Sequence, residues 1–322
     1  MDRNNVRIAR RIMEWIETHG PAARQVSGRR KGIALVIVLG LLIVLGTLAG
    51  EMARAVRLEA LTVASLRART VGRYAAESGV ALAEQRLRTL LDSASAAPDR
   101  IAVLNERETW LAPLREVALG EGRFGVTIVD LNARLDLNHS DATALRNFFA
   151  RFTSESRAAA IVAAVREAPL ARLGELTAIP GVDATLALAV APYVTVSGDG
   201  AVNVNSAPEP VLASLPALGE AGARNLIQRR ESGERFTTYA DLRLGASRGS
   251  SRPSDQNIED VMAGAASEPA SAARLDAVMM PSRLLVISRG WQVGHPLTHE
   301  IQAVYAIVGA SLKLHSVQER DR

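Results

Sequence analysis

The 322-residue chain contains no cysteine. That excludes a disulfide framework, a thiolate metal site and a cysteine nucleophile, and it leaves the redox compartment open. Aromatic residues are scarce, at 4%, so apolar packing must come mostly from Ala, Leu and Val. Histidine is limited to His19, His139, His295, His299 and His315. None has metal-ligand spacing. His295 and His299 lie four apart, but Pro296 prevents the helix that would place both on one face, and they read as exposed turn residues. There is no Gly-x-Ser-x-Gly, phosphate-binding loop or dinucleotide fingerprint. No catalytic grouping and no cofactor are expected, and an anchored enzyme is the weakest of the functional classes. No internal repeat of fixed period occurs.

Lysine is nearly absent, so the positive charge is almost all arginine, and its distribution is uneven. Residues 1–32 hold Arg3, Arg7, Arg10, Arg11, Arg24, Arg29, Arg30 and Lys31 against Asp2, Glu14 and Glu17. With a net charge of +4 overall, this leaves the remainder close to neutral. Bulk charge therefore does not point to nucleic acid as a partner.

The chain has one long apolar run, Ile33 to Gly50, 18 residues without a charge between Arg29-Arg30-Lys31 and Glu51. At about 1.5 Å per residue it nearly spans a bilayer core of roughly 30 Å, with Met52, Ala53 and a snorkelling Arg54 available to extend it. The basic flank places Met1–Lys31 in the cytoplasm and the rest outside. Three readings fit the run: a secretory signal cut near Thr47–Gly50, an uncleaved anchor, or a type IV pilin-like signal in which a basic leader ends in Gly32 before Ile33-Ala34-Leu35-Val36. The residues C-terminal to the run favour the third. From Glu51 to Leu91 there is no proline, and Ala, Leu, Arg and Glu dominate. Apolar residues recur there at spacings of three and four, from Val56, Leu58 and Leu61 to Leu87, Leu90 and Leu91. A single helix from Ile33 to Leu91, about 88 Å long, half in lipid and half docked on a head, is a pilin-like design.

Further on, Phe124–Val129 and Leu131–Leu137 read as a β-hairpin turning at Asn132-Ala133. Asn138–Asp141 offers cap chemistry for a helical region. Ala142–Phe152 and Arg157–Glu167 have helical spacing. Leu173–Val182 has the form of a helix–hairpin–helix turn, and Asn203–Leu242 forms a second such unit, with helices at Val211–Leu215 and Ala221–Arg230 closed by Phe236 and Leu242. Residues 245–273 read as a loop. Ser282–Gln292 and Thr298–Val308 are strands joined by a turn at Val293–Leu297, and Lys313–Arg322 reads as a frayed tail.

The leader junction Arg29–Leu35, Tyr74-Ala-Ala-Glu-Ser-Gly79, Val126–Asn138, Val202–Leu212 and Arg229, Phe236, Asp241 and Leu242, in this order, resemble the minor pseudopilin K family of type II secretion systems. The resemblance implies an α+β fold: a long N-terminal helix packed on an antiparallel sheet, with an inserted all-α domain of helix–hairpin–helix type. It implies a leader 1–32 that is cleaved, a transmembrane part 33–50, its amphipathic continuation 51–91, a head 92–140, an inserted helical domain 141–245, a loop 246–275, strands 276–312 and a tail 313–322. Cleavage and N-terminal methylation by a prepilin peptidase are implied between Gly32 and Ile33, with Ile33, Leu35, Val36, Ile37, Leu39, Leu41 and Leu42 in membrane and helix packing. Ile37 stands where most pilin-like chains carry glutamate, and the K family is the one that lacks it, which implies a place at the filament tip. The leader is longer than is common in the family. Implied partners are other minor pseudopilins, the major pseudopilin filament, the peptidase and the inner membrane, not nucleic acid, with the C-terminal domain in the periplasm.

Two competing readings remain. Asn203–Leu242 also resembles DNA-binding helix–hairpin–helix modules, with Ala217–Glu220 as the hairpin and Arg224, Arg229 and Arg230 near phosphate, although Glu220 has the wrong charge for an anion site. Asp130, Asp136 and Asp141, or Asp255, Glu259 and Asp260, offer oxygen donors of a kind that suits Ca²⁺, against their reading as solvated hairpin and cap carboxylates.

Overall fold

The computed structural model describes residues 29–106, 110–238, 241 and 277–322, with side chains from Leu35 onward. The leader up to residue 28, residues 242–276 and the acidic trio Asp255, Glu259 and Asp260 lie outside the described residues. The chain divides into two units, Met1–Ala64 and Ser65–Arg322.

Helix α1, Arg29–Ala96, begins in the first unit and continues into the second. It contains no proline and ends two residues before Pro98, which disfavours helical backbone at the residue preceding it. In the first unit the apolar side chains from Leu35 to Leu48 are exposed on all sides of the helix.

The second unit has two hydrophobic cores. One lies between the later part of α1 and a five-stranded sheet. Asp99 caps the short helix α2, Arg100–Asn105, accepting from the Ala102 N–H at 2.9 Å. Strands β1, Leu114–Leu119, and β2, Gly122–Asp130, then form a hairpin, Leu119 facing Gly122 across a two-residue turn with Gly120 at φ +55°. This corrects the expected hairpin at Asn132-Ala133. There the Asp130 carboxylate takes the Asn132 N–H and closes a 3-10 turn, Leu131–Ala133, which turns the chain out of the sheet. Strand β3, Leu135–Asp136, pairs in parallel with the distant β4, Val194–Thr195.

The insertion between the two halves of the sheet is mostly helical. It holds α3, Ala142–Ala150; α4, Glu155–Glu167; and α5, Ala184–Val190, capped by Asp141, Ser154 and Asp183 in turn. Between α4 and α5 a 3-10 turn, Leu173–Ala178, and Gly181 at φ +87° make the expected bend. After β5, Val202–Asn203, come α6, Glu209–Leu212, and α7, Gly219–Glu231. Four of the five phenylalanines, Phe148, Phe149, Phe152 and Phe236, pack in or against this core. Phe148 and Phe149 meet edge to face at 5.5 Å.

The chain re-enters the sheet through β6, Ala277–Val278, paired in parallel with β5. Strands β7, Arg283–Gln292, and β8, Thr298–Val308, come next, as expected. The tail expected to fray is instead β9, Ser311–Asp321, bonded to β8 along its length with a bulge opposite Val304/Tyr305. The sheet order is β1-β2-β7-β8-β9, every neighbour antiparallel.

Candidate assembly surface

The seam between α1 and the sheet depends on missing side chains. On one helical face Ala75, Ala76 and Ala83 are buried, and Gly72 and Gly79 share it. Opposite them Gly290 comes so close that a β-carbon there would sit 2.1 Å from the Gly72 carbonyl oxygen and 2.4 Å from the Ala76 nitrogen. A β-carbon on Gly79 would meet the Ser288 Oγ at 2.2 Å. Ser288 is buried and donates to the Ala76 carbonyl at 2.8 Å, satisfying a hydroxyl that would otherwise be stranded. In the stretch Tyr74–Gly79 the small residues thus face the sheet, and Tyr74 points outward at 64% exposure. Further along α1, Tyr305 of β8 donates to Glu84 at 3.2 Å. Burial and the adjacent Glu84 carboxylate push the Tyr305 hydroxyl up to about 12.

In the first unit Leu35, Val36, Ile37, Leu39, Leu41 and Leu42 are each between 57% and 70% exposed. Gly32 and Ile33 lie in the helix backbone of α1. The apolar window of this helix has a mean hydropathy of 2.4 and is 0% buried, and it is long and apolar enough to cross a membrane. A helix apolar all round takes its cover from lipid or from other chains.

A buried polar junction ties the insertion to the head. Asp130 accepts from Asn132 N–H, from Asn203 Nδ2 at 3.0 Å and from Ser206 Oγ at 2.7 Å. Asn132 Oδ1 accepts from the Ser282 and Arg283 N–H groups, both at 2.8 Å, while its amide donates to Asp199 and the Ala201 carbonyl. Asn205 donates to the carbonyls of Phe236 and Met279 and accepts from the Phe236 N–H at 2.9 Å. The chain's exit from the sheet at 130–132 and its return at 279–283 are therefore held by the same few side chains. The Asp and Asn pattern is visible in the sequence, but its partners Ser282, Phe236 and Met279 lie too far along the chain to be inferred. Gly290 carries no local signal for the seam.

Several expected sites have other work in the fold. Asp130 and Asp136 are buried rather than solvated. Asp136 accepts from the Asn138 and His139 N–H groups and contacts the His139 ring at 3.1 Å. Asp141 is a helix cap whose carboxyl is depressed: desolvation raises it, but the N–H groups of Ala144 and Thr143 outweigh that. Among the described residues no group of three or more His, Asp or Glu is placed to hold a metal ion. His299 is not a turn residue. It lies in β8 with its ring 2.7 Å from Asp321 of β9, whereas His295 does sit in the turn. Arg224 faces Glu220, Arg229 clasps Glu234 and lies over the Phe236 ring at 4.6 Å, and Arg230 donates to the Val204 and Ala207 carbonyls. These three cations are engaged within the insertion rather than presented together at the hairpin.

Residues 202–263 match the family model for the type II secretion system (T2SS), protein K. The matched segment starts at β5 and contains Asn203, Asn205, Ser206 and Phe236, so it includes one side of the polar junction. The fold agrees over a longer range. A chain from the crystal structure of the GspK-GspI-GspJ complex of the enterotoxigenic Escherichia coli type 2 secretion system superposes with a TM-score of 0.54 at 15% identity, covering 80% of this chain and 99% of that one. No curated protein sequence matches. The α+β fold agrees with that likeness, and the N-terminal helix is long and apolar enough to cross a membrane.

Proposed function

We propose that this chain is the tip subunit of a periplasmic pseudopilus, inserted in the inner membrane by α1 and assembling with other minor pseudopilins to initiate or cap the filament for protein export. It acts as a structural part, not as an enzyme. The observation that carries the reading is the apolar helix surface from Leu35 to Leu48, exposed all round and without a carboxylate before Glu51. A carboxylate in hydrocarbon is costly unless paired. A subunit with nothing beyond it has no neighbouring terminal ammonium to pair with, and Ile37 suits that place. The partners are inferred by analogy with the GspK-GspI-GspJ complex, and cleavage between Gly32 and Ile33 would free the helix to leave the membrane as the filament grows.

The absence of native cysteine makes the assembly test clean. Single cysteines at Leu39, Val56 and Tyr74, exposed on α1, should each cross-link in membranes to cysteines in the helices of the companion minor pseudopilins. Cross-links only between copies of this chain would contradict the reading. The DNA-binding alternative predicts instead that Arg224→Gln abolishes duplex binding by the full chain.

A further inference from the structure

The sheet face turned away from α1 is strongly cationic. Residues in register across antiparallel strands point to the same side. By that rule Arg123, Arg283, Arg289, Lys313 and Arg320 share one face, and Arg322 joins them by alternation. Within β2, β7, β8 and β9 the one carboxylate on that face is Glu300. Its side chain is fully buried, and Arg289, Arg320 and Arg322 all draw on it. Among the described residues Arg283 has only Asp199 as an ion partner, at 4.0 Å. Among the described residues the charge of this face is therefore far from neutralised.

Where the insertion overhangs this face there is a groove of about 450 Å³. Leu131, Leu285, Ile287 and Val304 line it with aliphatic surface, Gln302 and Gln318 with amides. Arg134 lines it too, half-buried, its guanidinium without a hydrogen bond or ion pair among the described residues. Burial holds that guanidinium below the usual arginine range. Arg172, exposed on the rim, has no ion partner there either. A desolvated cation without a counter-charge is costly, and an incoming carboxylate would relieve that cost through the two-pronged geometry that guanidinium offers.

We infer that this groove docks an extended acidic segment of another polypeptide, its carboxylates on Arg134 and Arg172 and its alternate aliphatic side chains on the floor. A polypeptide fits better than a nucleic acid for two reasons. The floor is aliphatic, with no aromatic platform for bases. The groove also reaches β9, the last strand of the sheet, whose outer edge pairs with no other strand among the described residues and can pair with an extended backbone. The inference does not depend on membrane insertion or on a place at the tip.

The full chain in zwitterionic detergent is titrated against a labelled peptide of alternating glutamate and valine, against an alternating lysine–valine peptide and against a short DNA duplex, by fluorescence anisotropy. The glutamate peptide should bind, more weakly as salt rises, and the lysine peptide should not. Arg134→Gln should weaken binding roughly tenfold, the loss of one charge-assisted contact, and leave the melting temperature unchanged or higher. Arg172→Gln, at an exposed site, should weaken it about threefold, in keeping with a rim charge. Unchanged affinity in both variants, equal binding of the lysine peptide, or DNA binding tighter than that of the glutamate peptide would each overturn the assignment.

Discussion

At Gly290 there is no room for even a methyl group, because the backbone of α1 occupies the space. Gly290→Ala must push α1 off the sheet, and a loss of about 3 kcal/mol is expected, at the upper end for overpacking. Gly174→Ala, where nothing lies within 4 Å, should be close to neutral. Denaturant unfolding of the two variants checks the contrast. Glu300 sets a second residue-scale expectation. Its burial alone would raise the carboxyl, but hydrogen bonds from Arg289, Arg320 and Gln302 outweigh this and bring it down to about 2 from 4.5. Its folded value is thus below its unfolded one, so the stability it confers is full above about pH 4.5 and is lost as pH falls toward 2. Glu300→Gln should cost about 3 kcal/mol at neutral pH, since it leaves three arginines around an uncharged amide, and should flatten that part of the pH profile. A variant profile as steep as the parent's would place the acid sensitivity elsewhere.

At the scale of elements, the sequence makes legible whatever has a clean period. The helix of α1 is read from three-and-four spacing without proline, and β7 and β8 from their β-rich runs. Two strands are hidden for identifiable reasons. β1 has its pairing broken between Leu114 and Val117, where Glu116 takes φ +52°, so alternation fails within six residues. β9 is polar because it is an edge with little burial, and its bulge moves Leu314 and Val317 out of simple alternation. Its attachment lies in partners rather than composition: His299 to Asp321 and Glu300 to Arg320. Native-state hydrogen exchange tests this directly. The β9 amides that point toward β8 should be protected well beyond those of an unstructured tail, and uniform fast exchange over residues 311–321 would restore the frayed reading.

For the whole molecule, the insertion and the head depend on the junction at Asp130, Asn132 and Asn205. Asn205→Ala removes bonds to both Phe236 and Met279 and strands buried backbone groups, at an expected cost of about 2 kcal/mol or more. Protease sensitivity should rise first around residues 236 and 279, and a variant as stable as the parent would show the junction to be incidental. The sequence motifs that carry the family resemblance are mostly the residues of this junction and of the helix–sheet seam, which is why they are legible without their partners being so. The proposed role rests above all on α1 being the processed helix of a pilin-like tip subunit. The most direct test is the N-terminus of the mature chain, read by mass spectrometry from native membranes. A processed tip subunit begins at N-methylated Ile33, while a chain that still begins at Met1 would contradict that role and leave a plain anchored protein.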